Sequence, residues 1–296
     1  MNNEALHFWH PVIVLVVESM VIATALDYAR SFVRETTLVA PWRWGLTALA
    51  ALVGVELAAV LASGEGPPRW LGAARYIAAV ATFCPIIAVL GAKRPQDRAW
   101  HLIVAALWFV LALPAFQDLI YHYGQPVALD PAWRAFVAVL IGVGLVNYLP
   151  TRFWPASLLY AAGQFVLLAD YLPWGDRITI ATAWRVPAAL GVFAGAAILP
   201  VLGWPRRRPA RDTHERLWCD FRDAYGMLWA VRIGRRAEET AHAGSRDPGD
   251  ASAAATASRD AAERTFIAHL QRFVPRAWID ERLAALTPSP SGRGPG

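Results

Sequence analysis

Charged side chains are sparse from His10 to Trp204 and dense after Pro205, and that asymmetry limits what this chain can fold into. A helix needs about 20 mostly apolar residues to cross a hydrocarbon layer about 30 Å thick, because it rises about 1.5 Å per residue. Seven stretches meet the requirement: Pro11–Ala29, Trp44–Ser63, Gly72–Gly91, Ala99–Tyr121, Trp133–Leu149, Phe153–Leu172 and Ile178–Gly203. The expectation is an all-α, polytopic transmembrane bundle of about seven spans over residues 1–204. The first stretch carries Glu18 and Asp27, and the last carries Arg185, Pro187 and Pro200. Excluding either or both would leave six or five spans. Composition agrees: 56% of the residues are hydrophobic and 17% charged, against about a quarter charged in soluble domains.

Tryptophan placement supports the same division. Nine of the fourteen tryptophans fall at or beside a proposed span end: Trp9, Trp42, Trp44, Trp70, Trp100, Trp133, Trp154, Trp174 and Trp204. An indole prefers that boundary because its ring is buried there while its N–H stays wet. Only Trp108 and Trp184 fall clearly within the proposed spans.

Orientation follows from the basic residues of the short connections, which are enriched on the cytosolic side. One set holds Arg30, Arg34, Arg43, Lys93, Arg94, Arg98, Arg152, Arg206, Arg207, Arg208 and Arg211. The other holds Arg69, Arg75, Arg134 and Arg177. Eleven against four places the N-terminus outside and the C-terminus in the cytosol, in a cytoplasmic (inner) membrane. No Lys or Arg precedes the first apolar stretch, so that stretch reads as a retained helix rather than a cleaved signal. Pro85, Pro114, Pro187 and Pro200 each remove a helical hydrogen bond and are expected to kink their spans.

After the last span, 205–240 reads as a basic juxtamembrane amphipathic helix. Trp218, Phe221, Tyr225, Leu228 and Trp229 recur at three- and four-residue steps, the period of a helix face. Residues 241–260 read as a flexible linker, 261–286 as a second amphipathic segment interrupted at Pro275, and 287–296 as a disordered end. The aromatic stripe Trp218, Phe221, Tyr225 and Trp229 is expected to face lipid or a partner protein. Arg206, Arg207, Arg208 and Arg211 stop transfer at the cytosolic face and suit anionic headgroups.

Chemistry is harder to find. No catalytic serine elbow, phosphate-binding glycine loop, dinucleotide fingerprint or zinc-protease helix occurs. Cys84 and Cys219 fall in different environments and follow no zinc spacing. His10, His101 and His122 lie near span ends, so no deep histidine pair suits a haem. No metal, cofactor or nucleic-acid partner is expected. Ionisable groups at depth remain, since a charge at mid-bilayer costs about 2.5–3.5 kcal/mol and needs an interior partner. Counting inward from the span ends puts Glu18, Glu56 and Arg185 at one level, about 10 Å below the outer boundary, with Gln164 nearby. This layer is expected to form a charge cluster in which Arg185 bridges both carboxylates. The functional expectation is a non-enzymatic binding, assembly or scaffold component. The alternatives are a secondary transporter or proton-coupled carrier using Glu18, Glu56 and Arg185, and an intramembrane enzyme.

Overall fold

The computed structural model describes residues 3–62, 66–177, 180–206, 210, 212–244 and 263–284, and they are helical apart from turns and short connections. The bundle helices are α1 (Asn3–Val33), α2 (Val39–Leu61), α3 (Leu71–Ala81), α4 (Cys84–Leu90), α5 (Asp97–Tyr121), α6 (Pro131–Tyr148), α7 (Trp154–Leu167) and α8 (Thr182–Val201). Two single 3-10 turns, Ala169–Tyr171 and Gly175–Arg177, join α7 to α8. A terminal set follows: α9 (Thr213–Tyr225), α10 (Met227–Gly244), α11 over 263–270 and α12 (Arg276–Ala284).

Six segments are long and apolar enough to cross a membrane, with α3 and α4 together forming one, as in a multi-pass membrane protein. Their surface is inverted relative to a soluble protein. Val17 and Met20 on α1, Leu102 and Phe109 on α5, and Val139 and Val146 on α6 are all exposed. Hydrocarbon is the solvent that suits such side chains.

The seventh traverse is made by α7, whose 14 residues are shorter than the other crossings. It starts beside Arg152, whose backbone N–H donates to Asp223 of α9. It ends at the 3-10 turn where Tyr171 packs edge-on against Tyr76, ring centroids 4.7 Å apart. Tyr76 in turn accepts from Trp133 Nε1 at the start of α6. The segment therefore runs from the face that carries the terminal helices to the opposite face, with the turn Ala169–Tyr171 completing the length.

Local signals explain several boundaries. Asp130 caps α6 by accepting from the Trp133 N–H at 3.0 Å, with Pro131 in the first turn. Asp212 caps α9 the same way through Glu215 N–H at 2.7 Å. Pro85 divides the third span: the chain tightens at Thr82 and Phe83, which donate to Ala79 and Val80, and α4 restarts with Pro85 in its first turn. Pro114, Pro187 and Pro200 are carried inside α5 and α8. Trp184, expected inside a span, sits two residues into α8 beside His10, ring centroids 5.5 Å apart, because the helix starts at Thr182 rather than Ile178.

The bundle core is built from side chains such as Leu52, Tyr76, Phe83, Leu168 and Leu190. The terminal helices have a core of their own: Leu217, Phe221, Tyr225 and Trp229 pack on Phe266, Leu270, Phe273 and Ile279, and on Val89 and Ala92 of the bundle. Most of the expected linker, from 245 on, and the segment 287–296 lie outside the described residues; 241–244 continue α10.

Candidate functional site

The expected charge layer is not assembled as the depth count implied. Glu56 forms a bidentate pair with Arg75, Nε to Oε1 at 2.6 Å and Nη2 to Oε2 at 2.7 Å. Arg185 bonds both carboxylate oxygens of Asp170 and the carbonyl of Ile180. The bridge from Arg185 to Glu18 and Glu56 is thus replaced by two local pairs. Arg185 lies only three positions after Thr182, about 4.5 Å along the axis from the helix start rather than 10 Å. A long guanidinium at that depth reaches toward the boundary, where Asp170 waits, rather than across the bundle.

Glu18 stands apart from both pairs. It faces α8 where Gly191 leaves room: a Cβ at Gly191 would lie 2.7 Å from Glu18 Oε1. Its other oxygen, Oε2, is buried without a hydrogen-bond partner. Gln164 is fully buried on α7 and reaches the break in the third span. Its Nε2 donates to both the carbonyl and the hydroxyl oxygen of Thr82, each at 3.3 Å, while its Oε1 has no partner. Tyr160, one turn earlier, donates to the same carbonyl at 2.6 Å. Divided helices expose backbone groups that something must satisfy, and here α7 satisfies the Thr82 carbonyl.

That polar cluster belongs to the wall of a cavity of about 360 Å³. Six helices surround it: Leu26 of α1, Leu52 of α2, Ile86 of α4, Gly144 of α6, Ala161 of α7 and Phe193 of α8 each contribute. Its volume lies in the range of pockets that hold small organic molecules. No charged residue lines it, and neither Glu18 nor Glu56 is among the residues of its wall. The cavity occupies the half of the bundle nearer the terminal helices, for Pro41, Tyr148 and Phe153 lie at helix ends on that side.

The terminal helices close on the same side through three bundle connections. Thr37 donates to the Ala92 carbonyl at 2.6 Å and lies 3.2 Å from the Tyr225 hydroxyl. Trp229 Nε1 donates to the carbonyl of Val89, a cavity-wall residue, at 2.9 Å. Asp223 takes the Arg152 N–H at 3.1 Å, and Asn147 Oδ1 accepts from Leu228 N–H at 3.0 Å. The aromatic stripe expected to face lipid or a partner is consequently internal: Phe221, Tyr225 and Trp229 are buried, and Trp218 is half-buried with Arg222 over its ring. The reason is that 263–284 folds back to cover it. Arg206 is exposed; Arg207, Arg208 and Arg211 lie outside the described residues.

Sequence reasoning missed the Arg75 and Asp170 partners and the cavity. Arg75 stood out only among the basic residues of the connections, and Asp170 not at all; Pro85 marked a kink in a span but not the space beside it. Among the described residues no three His, Cys, Asp or Glu side chains gather as metal ligands. No family model, curated protein or solved structure matches the chain.

Proposed function

We propose that this chain is a non-enzymatic binding component of a cytoplasmic membrane that holds an apolar molecule in the partly open pocket between its helices. The observation that carries the reading is a cavity of about 360 Å³ walled almost wholly by aliphatic and aromatic side chains from six helices. The pocket is open on one side, and a concave apolar site of this size between packed helices has the form of a small-molecule site. Catalysis lacks support because no acid–base or nucleophile pair faces the space. A carboxylate-driven carrier lacks it too, since Glu18 and Glu56 do not line the cavity and Glu56 is already paired.

The N-terminus is placed outside and the terminal helices in the cytosol. Support comes from the basic connections: those carrying Arg34, Lys93, Arg94 and Arg152 are the ones that meet the terminal helices. Those helices then form a cytosolic cap that is part of the fold, with an outer surface available to headgroups or another protein.

The test is to purify the chain from its membrane in mild detergent, extract it with organic solvent and quantify apolar compounds against the bulk membrane extract. One neutral compound enriched to about one equivalent per chain is expected of a single preformed pocket. An extract with the composition of the bulk membrane overturns the reading.

A further inference from the structure

Three chain segments meet where the third span leaves the membrane, and each brings cations. The apolar run of that span ends at Leu90. Beyond it the Arg94 N–H donates to the Arg272 carbonyl at 2.9 Å, which seats the connection 91–94 against the chain just past α11. α10 is tied to the same place: Trp229 Nε1 bonds the Val89 carbonyl, and the Arg232 guanidinium lies 5.0 Å over the Trp229 ring. Arg236 follows Arg232 one turn later. Lys93, Arg232, Arg236 and Arg272 are thereby gathered, with His269 beside them. Burial first, and then repulsion from Arg272, Arg236 and Arg232, holds the Lys93 pKa below its ordinary value. Arg232, Arg236 and Arg272 are exposed and Lys93 is half-buried. Elsewhere Arg75, Arg152, Arg185, Arg276 and Arg282 each hold a carboxylate. Lys93, Arg232 and Arg272 have no ion-pair partner among the described residues.

We infer that this cluster binds the phosphate of an anionic phospholipid headgroup. The fold holds like charges together, and an anion among them replaces repulsion with attraction. Guanidinium forks match pairs of phosphate oxygens, and the ammonium adds a compact charge. The depth suits a lipid, since Lys93 comes three residues after the apolar limit of its span. The exposed face of α10 has the same order. Leu228, whose N–H bonds Asn147 at the end of α6, and Val231 are exposed; Arg232 and Arg235 continue that stripe at helical steps away from the bundle. Apolar residues at the bundle end with cations one turn on match acyl chains followed by phosphates. A zwitterionic headgroup would bring an ammonium among these cations and is disfavoured. None of the four cations lines the pocket, so the inference does not depend on what the pocket holds.

The test is native mass spectrometry of the full-length protein in mild detergent, titrated with dioleoylphosphatidylglycerol or dioleoylphosphatidylcholine. The wild-type protein is expected to hold the anionic lipid more tightly. Arg232→Gln with Arg272→Gln should weaken phosphatidylglycerol about thirtyfold, the value for two basic side chains near a membrane surface, and leave phosphatidylcholine unchanged. Each single change, at an exposed side chain, should account for about fivefold, so the site is still tested if the double variant does not accumulate. Arg216→Gln with Arg276→Gln removes the same charge from α9 and α12 and should leave both affinities as they were. Equal affinity for the two lipids in the wild-type protein overturns the inference, and so do equal losses in the two double variants. Inorganic phosphate added in excess separates the sources of the anion. Retained phosphatidylglycerol supports the lipid, whereas its displacement makes this a site for free phosphate and overturns the lipid assignment.

Discussion

At Gly226 the backbone takes φ of 81°, and a Cβ there would lie 2.3 Å from Asn147 Nδ2. The residue ends α9 and allows Asn147 to reach the Leu228 N–H that starts α10. Gly226→Ala meets two obstacles: a positive-φ, extended conformation that is essentially restricted to glycine and costs an alanine about 1–3 kcal/mol, and a collision with the side chain that anchors the cap. Gly234, midway along α10, meets nothing closer than Trp218 Nε1 at 3.7 Å. There alanine should stabilise by roughly 0.5–1 kcal/mol, the ordinary gain over glycine inside a helix. Thermal unfolding of the purified protein should move in opposite directions for the two variants. A shift of the same sign for both would remove the role given to Gly226. Residue-level facts of this kind divide sharply by legibility. Glu18 keeps an unmet oxygen, but that Glu56 and Arg185 needed partners could be read from their place in apolar stretches. Which partners they took could not, because residue counts give position along an axis but neither the side of the helix that a residue faces nor the neighbouring helix.

Among the elements, α9 and the pair α11 and α12 were visible in the period of their aromatic and aliphatic residues, since one face of each is apolar. That the two faces cover each other, with Phe221, Tyr225 and Phe273 in mutual ring contact, follows only from the fold. α7 shows the converse: its hydropathy marked a span over 153–172, yet the α-helix stops at Leu167 and a 3-10 turn finishes the crossing. The cap should also respond to acid through His269 on α11. Burial is the largest influence, and Arg272, Arg236 and Lys93 add repulsion, so its pKa lies below the ordinary 6.5. A depressed histidine pKa means the unfolded chain binds the proton first, so the histidine opposes folding as pH falls below 6.5 toward the folded value. Above 6.5 the penalty is absent. Denaturant midpoints followed by tryptophan fluorescence at about pH 7.5 and about pH 5.5 should fall for the wild-type protein, and fall less for His269→Gln. Parallel losses in the two proteins would assign the acid response to another group.

The whole molecule is a bundle with an integral cap, and its crossing number has a direct test. Reporters fused after Gly124 and after the terminal helices are expected on opposite faces of the membrane; reporters on the same face would exclude the seven-crossing arrangement. The bundle itself was readable from hydropathy because the bilayer imposes length on every span. The cavity was not, since empty space depends on how six helices pack at once and leaves no pattern along any one of them. The two ion pairs matter at this scale as well. Glu56 with Arg75, and Asp170 with Arg185, are opposite charges held at bonding distance, so each pair shifts as a neutral unit. A transmembrane voltage does work of about 2.3 kcal/mol per 100 mV only on net charge that traverses it. On these pairs it does almost none, and collapsing the membrane potential should leave this part of the bundle as it was.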